Sequence, residues 1–122
     1  MPFEFQRLHH VQLAIPPGGE DAARAFYGGV LSMTELEKPA VLAARGGCWF
    51  AGGGWEIHLG VEEAFMPARK AHPGVLVDDV DALAECLESA GRKVEWDPHF
   101  PGHRRLYSAD DHGNRLEFLQ PE

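Results

Sequence analysis

Apolar and polar positions along this chain fall into short runs whose pattern occurs twice. From Leu8 to Ile15 the residues alternate with a period of two. His9, Val11, Leu13 and Ile15 share one face, and Leu8, His10, Gln12 and Ala14 share the other, which predicts a strand. The turn run Pro16-Pro17-Gly18-Gly19 follows. Ala23, Phe26, Tyr27 and Val30 then recur at three/four spacing and predict a helix over Glu20 to Leu31. Farther on, Ala71 to Val77 again reads as a strand. Val80, Leu83, Ala84, Leu87 and Ala90 form a second helical stripe, with Asp78 or Asp79 placed to cap it and Gly91 to stop it. After each helix three extended segments are predicted, at about 33–38, 41–50 and 55–60 in the first half and about 93–97, 104–109 and 114–119 in the second.

Each half therefore reads β-α-β-β-β, an α+β arrangement within one domain spanning 1–122. Module one covers about 5–62, a linker containing Pro67 about 60–70, and module two about 71–120. The closing strands align as well, Gly54-Trp55-Glu56-Ile57-His58-Leu59 with Gly113-Asn114-Arg115-Leu116-Glu117-Phe118. Under this alignment His10 pairs with His72 and His58 with Glu117. On the last strand of each module, Ile57 and Leu59 oppose His58, and Leu116 and Phe118 oppose Glu117. The apolar sets are expected to pack under the helices, leaving all four candidates on the opposite, concave face. Parity thus selects His10 over His9. Three imidazoles and one carboxylate on such a face suit one divalent cation, with Zn, Ni, Fe, Co and Mn all compatible.

Composition narrows the setting. Eleven Lys and Arg against nineteen Asp and Glu give a net charge of −8, which argues against a nucleic-acid binder that neutralises phosphates. No apolar run reaches the length of a membrane span, and no signal-peptide pattern opens the chain, so a cytoplasmic protein is expected. Cys48 and Cys86 form no CxxC and are read as small, partly buried, reduced thiols. His99, His103, Arg104 and Arg105 form a basic cluster in this acidic chain. Alternation sends Arg105 and Tyr107 to one face, where Arg105 is a candidate for holding an anionic substrate group, with the Tyr107 hydroxyl beside it. Gln12 and Trp49 are further candidates for contact with substrate, and Phe65 for lining an apolar pocket.

In this order and spacing the motifs resemble the vicinal oxygen chelate superfamily, which includes glyoxalase I, bleomycin-resistance proteins and extradiol dioxygenases. The resemblance rests on Leu8-His9-His10-Val11-Gln12-Leu13, on Ala25-Phe26-Tyr27 with Val30-Leu31-Ser32-Met33, on His72-Pro73-Gly74-Val75-Leu76-Val77-Asp78, and on Asp110-Asp111-His112-Gly113-Asn114-Arg115-Leu116-Glu117. It implies two βαβββ modules forming a curved, cup-like mixed sheet with helices outside, usually completed by homodimerisation. The family's metal positions fall on His10, His58, His72 and Glu117. Three departures stand out: Asp111 replaces a proline, Ser32 replaces a glycine after the first helix, and His58 replaces the carboxylate that glyoxalase I-like enzymes use as a base. An imidazole at 58 can still ligate a metal or move a proton.

The function implied is a metal-dependent lyase, isomerase or thiol-transferase acting on a small oxygen-chelating or electrophilic substrate, with His58 and Glu117 as its catalytic groups. Two alternatives share the cup. One is a metal-free ligand-binding protein of the bleomycin-resistance type. The other is an iron(II) extradiol-type dioxygenase using His10, His72 and Glu117. Expected partners are a small molecule and a second copy of the chain, with no nucleic acid or membrane.

Overall fold

The computed structural model describes residues 2–122 and contains two four-stranded sheets. Module one comprises β1 (His10–Ile15), α1 (Glu20–Ala23) continuing as a π-helical segment (Arg24–Val30), β2 (Thr34–Leu36), α2 (Ala40–Ala43), β3 (Cys48–Ala51) and β4 (Glu56–Val61). Module two comprises β5 (Gly74–Leu76), α3 (Val80–Ser89), β6 (Glu95–Asp97), β7 (His103–Ala109) and β8 (Arg115–Pro121). The strand orders are β1-β4-β3-β2 and β5-β8-β7-β6, so both modules have one wiring. In each, the first and last strands pair in parallel and the remaining pairs are antiparallel. Among the described residues no helix is long and apolar enough to cross a membrane.

Two expectations need correction. The segment 41–50 is not extended throughout, because Ala40–Ala43 forms the short helix α2 and only Cys48–Ala51 joins the sheet. Pro39 supplies the helix entry, and the Pro39 carbonyl accepts from the Leu42 and Ala43 amides. Gly47 restores the strand direction at φ +84, where a Cβ would lie 2.1 Å from the Leu59 carbonyl oxygen, so only glycine fits. The second correction concerns Cys86, which is exposed on α3, whereas Cys48 is buried.

The first helix widens because the Leu31 amide bonds the Phe26 carbonyl, five residues back, at 3.0 Å. Gly28 and Gly29 lie inside this widened segment. Ser32 then turns the chain at φ +56, a left-handed conformation where glycine would carry no Cβ penalty. In module two, Asp79 caps α3 by accepting from the Ala82 amide at 2.9 Å, and Gly91 at φ +75 follows its end.

One apolar core joins the modules. Ile15, Phe26, Tyr27, Phe50, Ile57 and Leu59 meet Val80, Leu87, Leu106, Leu116 and Phe118 in it. Each such side chain contributes about 1.5–3 kcal/mol by leaving water. A buried polar hub fixes the seam. The Tyr27 hydroxyl donates to Asp110 Oδ2 at 2.7 Å, Asn114 Nδ2 donates to the same oxygen at 2.9 Å, and the His112 and Asn114 amides donate to Asp110 Oδ1. Asn114 Nδ2 also reaches the Ala14 carbonyl of β1 at 2.8 Å, and His112 Nε2 donates to the Gly19 carbonyl at 2.9 Å. The Phe26-Tyr27 and Asp110-to-Asn114 motifs are thus two sides of one joint.

Candidate metal centre

The parallel pairing of first and last strands places the four candidate ligands. In module one Gln12 lies opposite His58, so His10 sits two residues before the partner of His58. In module two Gly74 lies opposite Glu117, and His72 again sits two residues before that partner. An aromatic residue of the neighbouring antiparallel strand faces the second ligand position in both modules: Trp49 opposite His58 and Tyr107 opposite Glu117.

The structure divides the four residues into two pairs. His10 and His58 are stacked, with ring centroids 4.0 Å apart and planes at 11°. Trp49 covers the other side of His58 at 4.1 Å and 9°, completing a three-ring stack. His58 Nε2 lies 2.9 Å from Glu56 Oε1. A carboxylate accepts, so Nε2 donates to it and Nδ1 is the ring nitrogen left for another partner. The His58 contact holds the Glu56 carboxyl below its ordinary range. Loss of hydration, followed by the charges of His58 and His9, pushes the His10 imidazole down and favours its neutral, ligating form.

In module two His72 Nε2 lies 2.8 Å from Glu117 Oε1, and His72 Nδ1 lies 2.8 Å from the Lys70 carbonyl. That carbonyl can only accept, so Nδ1 donates to it, and a proton shared between Nε2 and Glu117 Oε1 closes the second contact. Arg105 donates to Glu117 Oε2 at 3.1 Å and to Asp97 Oδ2 at 3.3 Å. Burial works against the Arg105 charge, but the Glu117 hydrogen bond and the two carboxylates outweigh it and raise its pKa. Asp97 is held below its ordinary range by the His99 amide and by Arg105. The Tyr107 ring meets His72 edge-on at 5.3 Å. Among the described residues no group of three or more His, Cys, Asp or Glu side chains is close enough to hold a metal. One copy of the chain therefore keeps the four candidate residues in two pairs.

Scans of family models and of curated proteins find no match to this sequence. Among solved structures, a glyoxalase family protein from Bacillus anthracis is 44% identical with TM-score 0.96, over 100% of both chains. The chain belongs to the glyoxalase family. With it comes the wider vicinal oxygen chelate superfamily. Two more distant structures share the fold. The antibiotic-binding protein TnmS3 from Streptomyces is 23% identical with TM-score 0.72, over 98% of this chain and 99% of its own. Lactoylglutathione lyase from Agrobacterium tumefaciens is 20% identical with TM-score 0.76, over 96% of this chain and 95% of its own.

In this glyoxalase-family chain, Gln12 and Trp49 lie with the His10–His58 pair, and Arg105 and Tyr107 with the His72–Glu117 pair. Two carboxylates of its own chain already bond Arg105, Glu117 at Nη1 and Asp97 at Nη2. The basic cluster does not act as a unit: Arg104 reaches Asp81 on α3 at 2.7 Å, and His103 turns to the Pro101 carbonyl. Phe65 meets His112 edge-on at 6.2 Å, beside the seam. Sequence reasoning missed Glu56 and Arg115. Each lies two residues before a candidate ligand on the same strand, so the parity that selected His58 and Glu117 also selects them.

Proposed function

We propose that this chain is a divalent-metal-dependent enzyme acting on a small oxygen-chelating or electrophilic substrate by lyase, isomerase or thiol-transfer chemistry. The observation that carries the reading is the repeated register, which sets a ligand-type pair at the same strand positions of each module. The donor chemistry fits: imidazole nitrogens from His10, His58 and His72 and an oxygen from Glu117 form a set suited to a borderline divalent cation. Because one copy separates the pairs, the full set requires a homodimer, in which the His10–His58 pair of one copy meets the His72–Glu117 pair of the other.

A cation bound there would supply Lewis-acid polarisation of two substrate oxygens. With Glu56 on Nε2, His58 has only Nδ1 left, so it would hold the cation through that nitrogen and accept a substrate proton there only on leaving the cation. Trp49 and Tyr107 flank the two pairs and exclude water from one side of each. Arg105 donates to Glu117 Oε2 and so aims that carboxyl group across the face.

A metal-free binder is the second reading. The flat stack of His10, His58 and Trp49 suits a planar ligand, and TnmS3 is an antibiotic-binding protein of this fold.

Metal analysis of untagged protein decides between them. About one cation per chain is expected in the unaltered protein, with loss in His10→Ala and in Glu117→Ala. Refolding the two variants together should regenerate one intact site in each mixed dimer. Little metal in the unaltered protein after exposure to nickel, zinc, iron or manganese would remove the enzyme reading. Recovery absent from the mixture, or a monomer at micromolar concentration, would remove the shared site.

A further inference from the structure

Arg115 is unlike the other arginines on the sheets. Arg105 and Arg104 are neutralised by carboxylates, whereas the half-buried Arg115 guanidinium makes no ion pair among the described residues. It lies 4.2 Å over the Tyr107 ring, which orients it without cancelling its charge. It stands two residues before Glu117 and so shares its face of β8. In module one the equivalent strand position is Glu56, which is already occupied with His58.

The surroundings extend this asymmetry. Arg115, Arg69 and Lys93 line a recess of about 420 Å3 together with Tyr107 and Ser108, against a single acid, Glu95. Arg115 also borders the adjoining recess of about 580 Å3, which contains His72 and Gln12. One side chain thus connects a cationic recess to the His72–Glu117 pair, in a chain of net charge −8. A guanidinium has a planar fork of donors that matches an oxyanion, and a partly desolvated position strengthens those bonds.

We propose that this recess binds an oxyanion group of the substrate, a phosphate, phosphonate or carboxylate. Arg115 is its principal contact, Arg69 and Lys93 flank it, and the Tyr107 hydroxyl is a neutral donor. The proposal rests on the reading of His72 and Glu117 as part of the reaction site, and it makes the substrate an anion whose reacting oxygens lie beside Glu117.

The test titrates chelator-treated, full-length protein with phenylphosphonate and, separately, benzoate at constant ionic strength, following the Arg115 side-chain N–H signal by NMR. Saturable binding is expected for at least one probe. Arg115→Gln should weaken it by about tenfold or more, and Arg115→Lys should fall between, since one ammonium cannot form the fork. The tighter probe identifies the oxyanion class. No binding by either probe, or equal affinity in Arg115→Gln, would overturn the proposal. Nickel uptake measured in parallel separates the two readings. Nickel binding without anion binding sinks this proposal alone, and anion binding without nickel uptake removes the metal and leaves the recess standing.

Discussion

In module one the second candidate ligand is His58, sandwiched between two flat rings and touching one carboxylate at its edge. In module two it is Glu117, which with Arg105, Asp97 and His72 forms a hydrogen-bonded chain across the sheet. The backbone places both residues by the same register, yet their surroundings share almost nothing. Position 105 holds an arginine that binds Glu117, while its counterpart beside β4 is Gly47, which must lack a side chain. A duplicated strand pairing therefore repeats positions and facing, and leaves electrostatics free to diverge. Module one offers stacked, polarisable rings; module two offers hydrogen-bonded carboxyl groups and, at Arg115, a guanidinium in no ion pair among the described residues.

Breaking that hydrogen-bonded chain should have the largest effect on stability. Arg105→Leu leaves Glu117 and Asp97 without their shared cation at a site where the Arg105 side chain is only 16% exposed. A loss of about 3 kcal/mol is expected in urea unfolding. His58→Phe, which keeps the ring stack, should cost less than about 1 kcal/mol. Equal losses would abolish the distinction between the modules.

Alkali should reverse the order of vulnerability, because the buried groups that resist ionisation lie in module one. Burial pushes the Cys48 thiol up from 9.0 to about 11. Burial, and then the charge of Asp110, raise the Tyr27 phenol well above its ordinary value. The folded state holds these protons where the unfolded chain releases them. The stability that Cys48 contributes is therefore full below pH 9 and falls as pH rises toward about 11, by on the order of 2 kcal/mol. Denaturation curves across that range should flatten in Cys48→Ala. An unchanged pH dependence in that variant would place the alkaline sensitivity elsewhere.

The joint between modules comes next. Tyr27→Phe removes one donor from Asp110 and leaves the Asn114 and His112 contacts in place, so a loss of about 1–2 kcal/mol is expected from thermal unfolding. A neutral result would mean that the Asn114 bridge alone holds the seam. The smallest effect is a gain. Ser32→Gly relieves a left-handed serine at φ +56 and should stabilise by about 0.5 kcal/mol, measured by urea titration. Destabilisation there would show that the serine side chain offsets its own backbone strain.

Much of this arrangement is written locally. Strand alternation is a period-two property of the backbone, so the facing of His10, His58, His72 and Glu117 was readable from the neighbouring valines, leucines and isoleucines. The same local logic offered Asp78 or Asp79 as the cap of α3, of which Asp79 serves, and Gly91 as its stop. It failed at 41–50, where an apolar run of Val41 and Leu42 suits a strand and a short helix equally well, and the proline ahead of it tipped the outcome. For Arg105 it offered an anionic substrate group as a candidate partner, because sequence shows that a guanidinium faces the cup but not that Asp97 and Glu117 bond it there.

The sequence by itself determined the doubled β-α-β-β-β order, the face on which each candidate ligand stands, and the family. These follow from periodicity and from motifs read in sequence. Only the tertiary structure decided that the four candidate ligands form two pairs within one copy, that Asp110 is a buried joint to Tyr27, and that Arg105 is paired with two carboxylates while Arg115 is in no ion pair among the described residues. Those outcomes depend on which residues, tens of positions apart, come within about 3 Å of one another, where hydrogen bonds and charge pairing are settled. Local pattern sets direction along each strand and does not encode that distance.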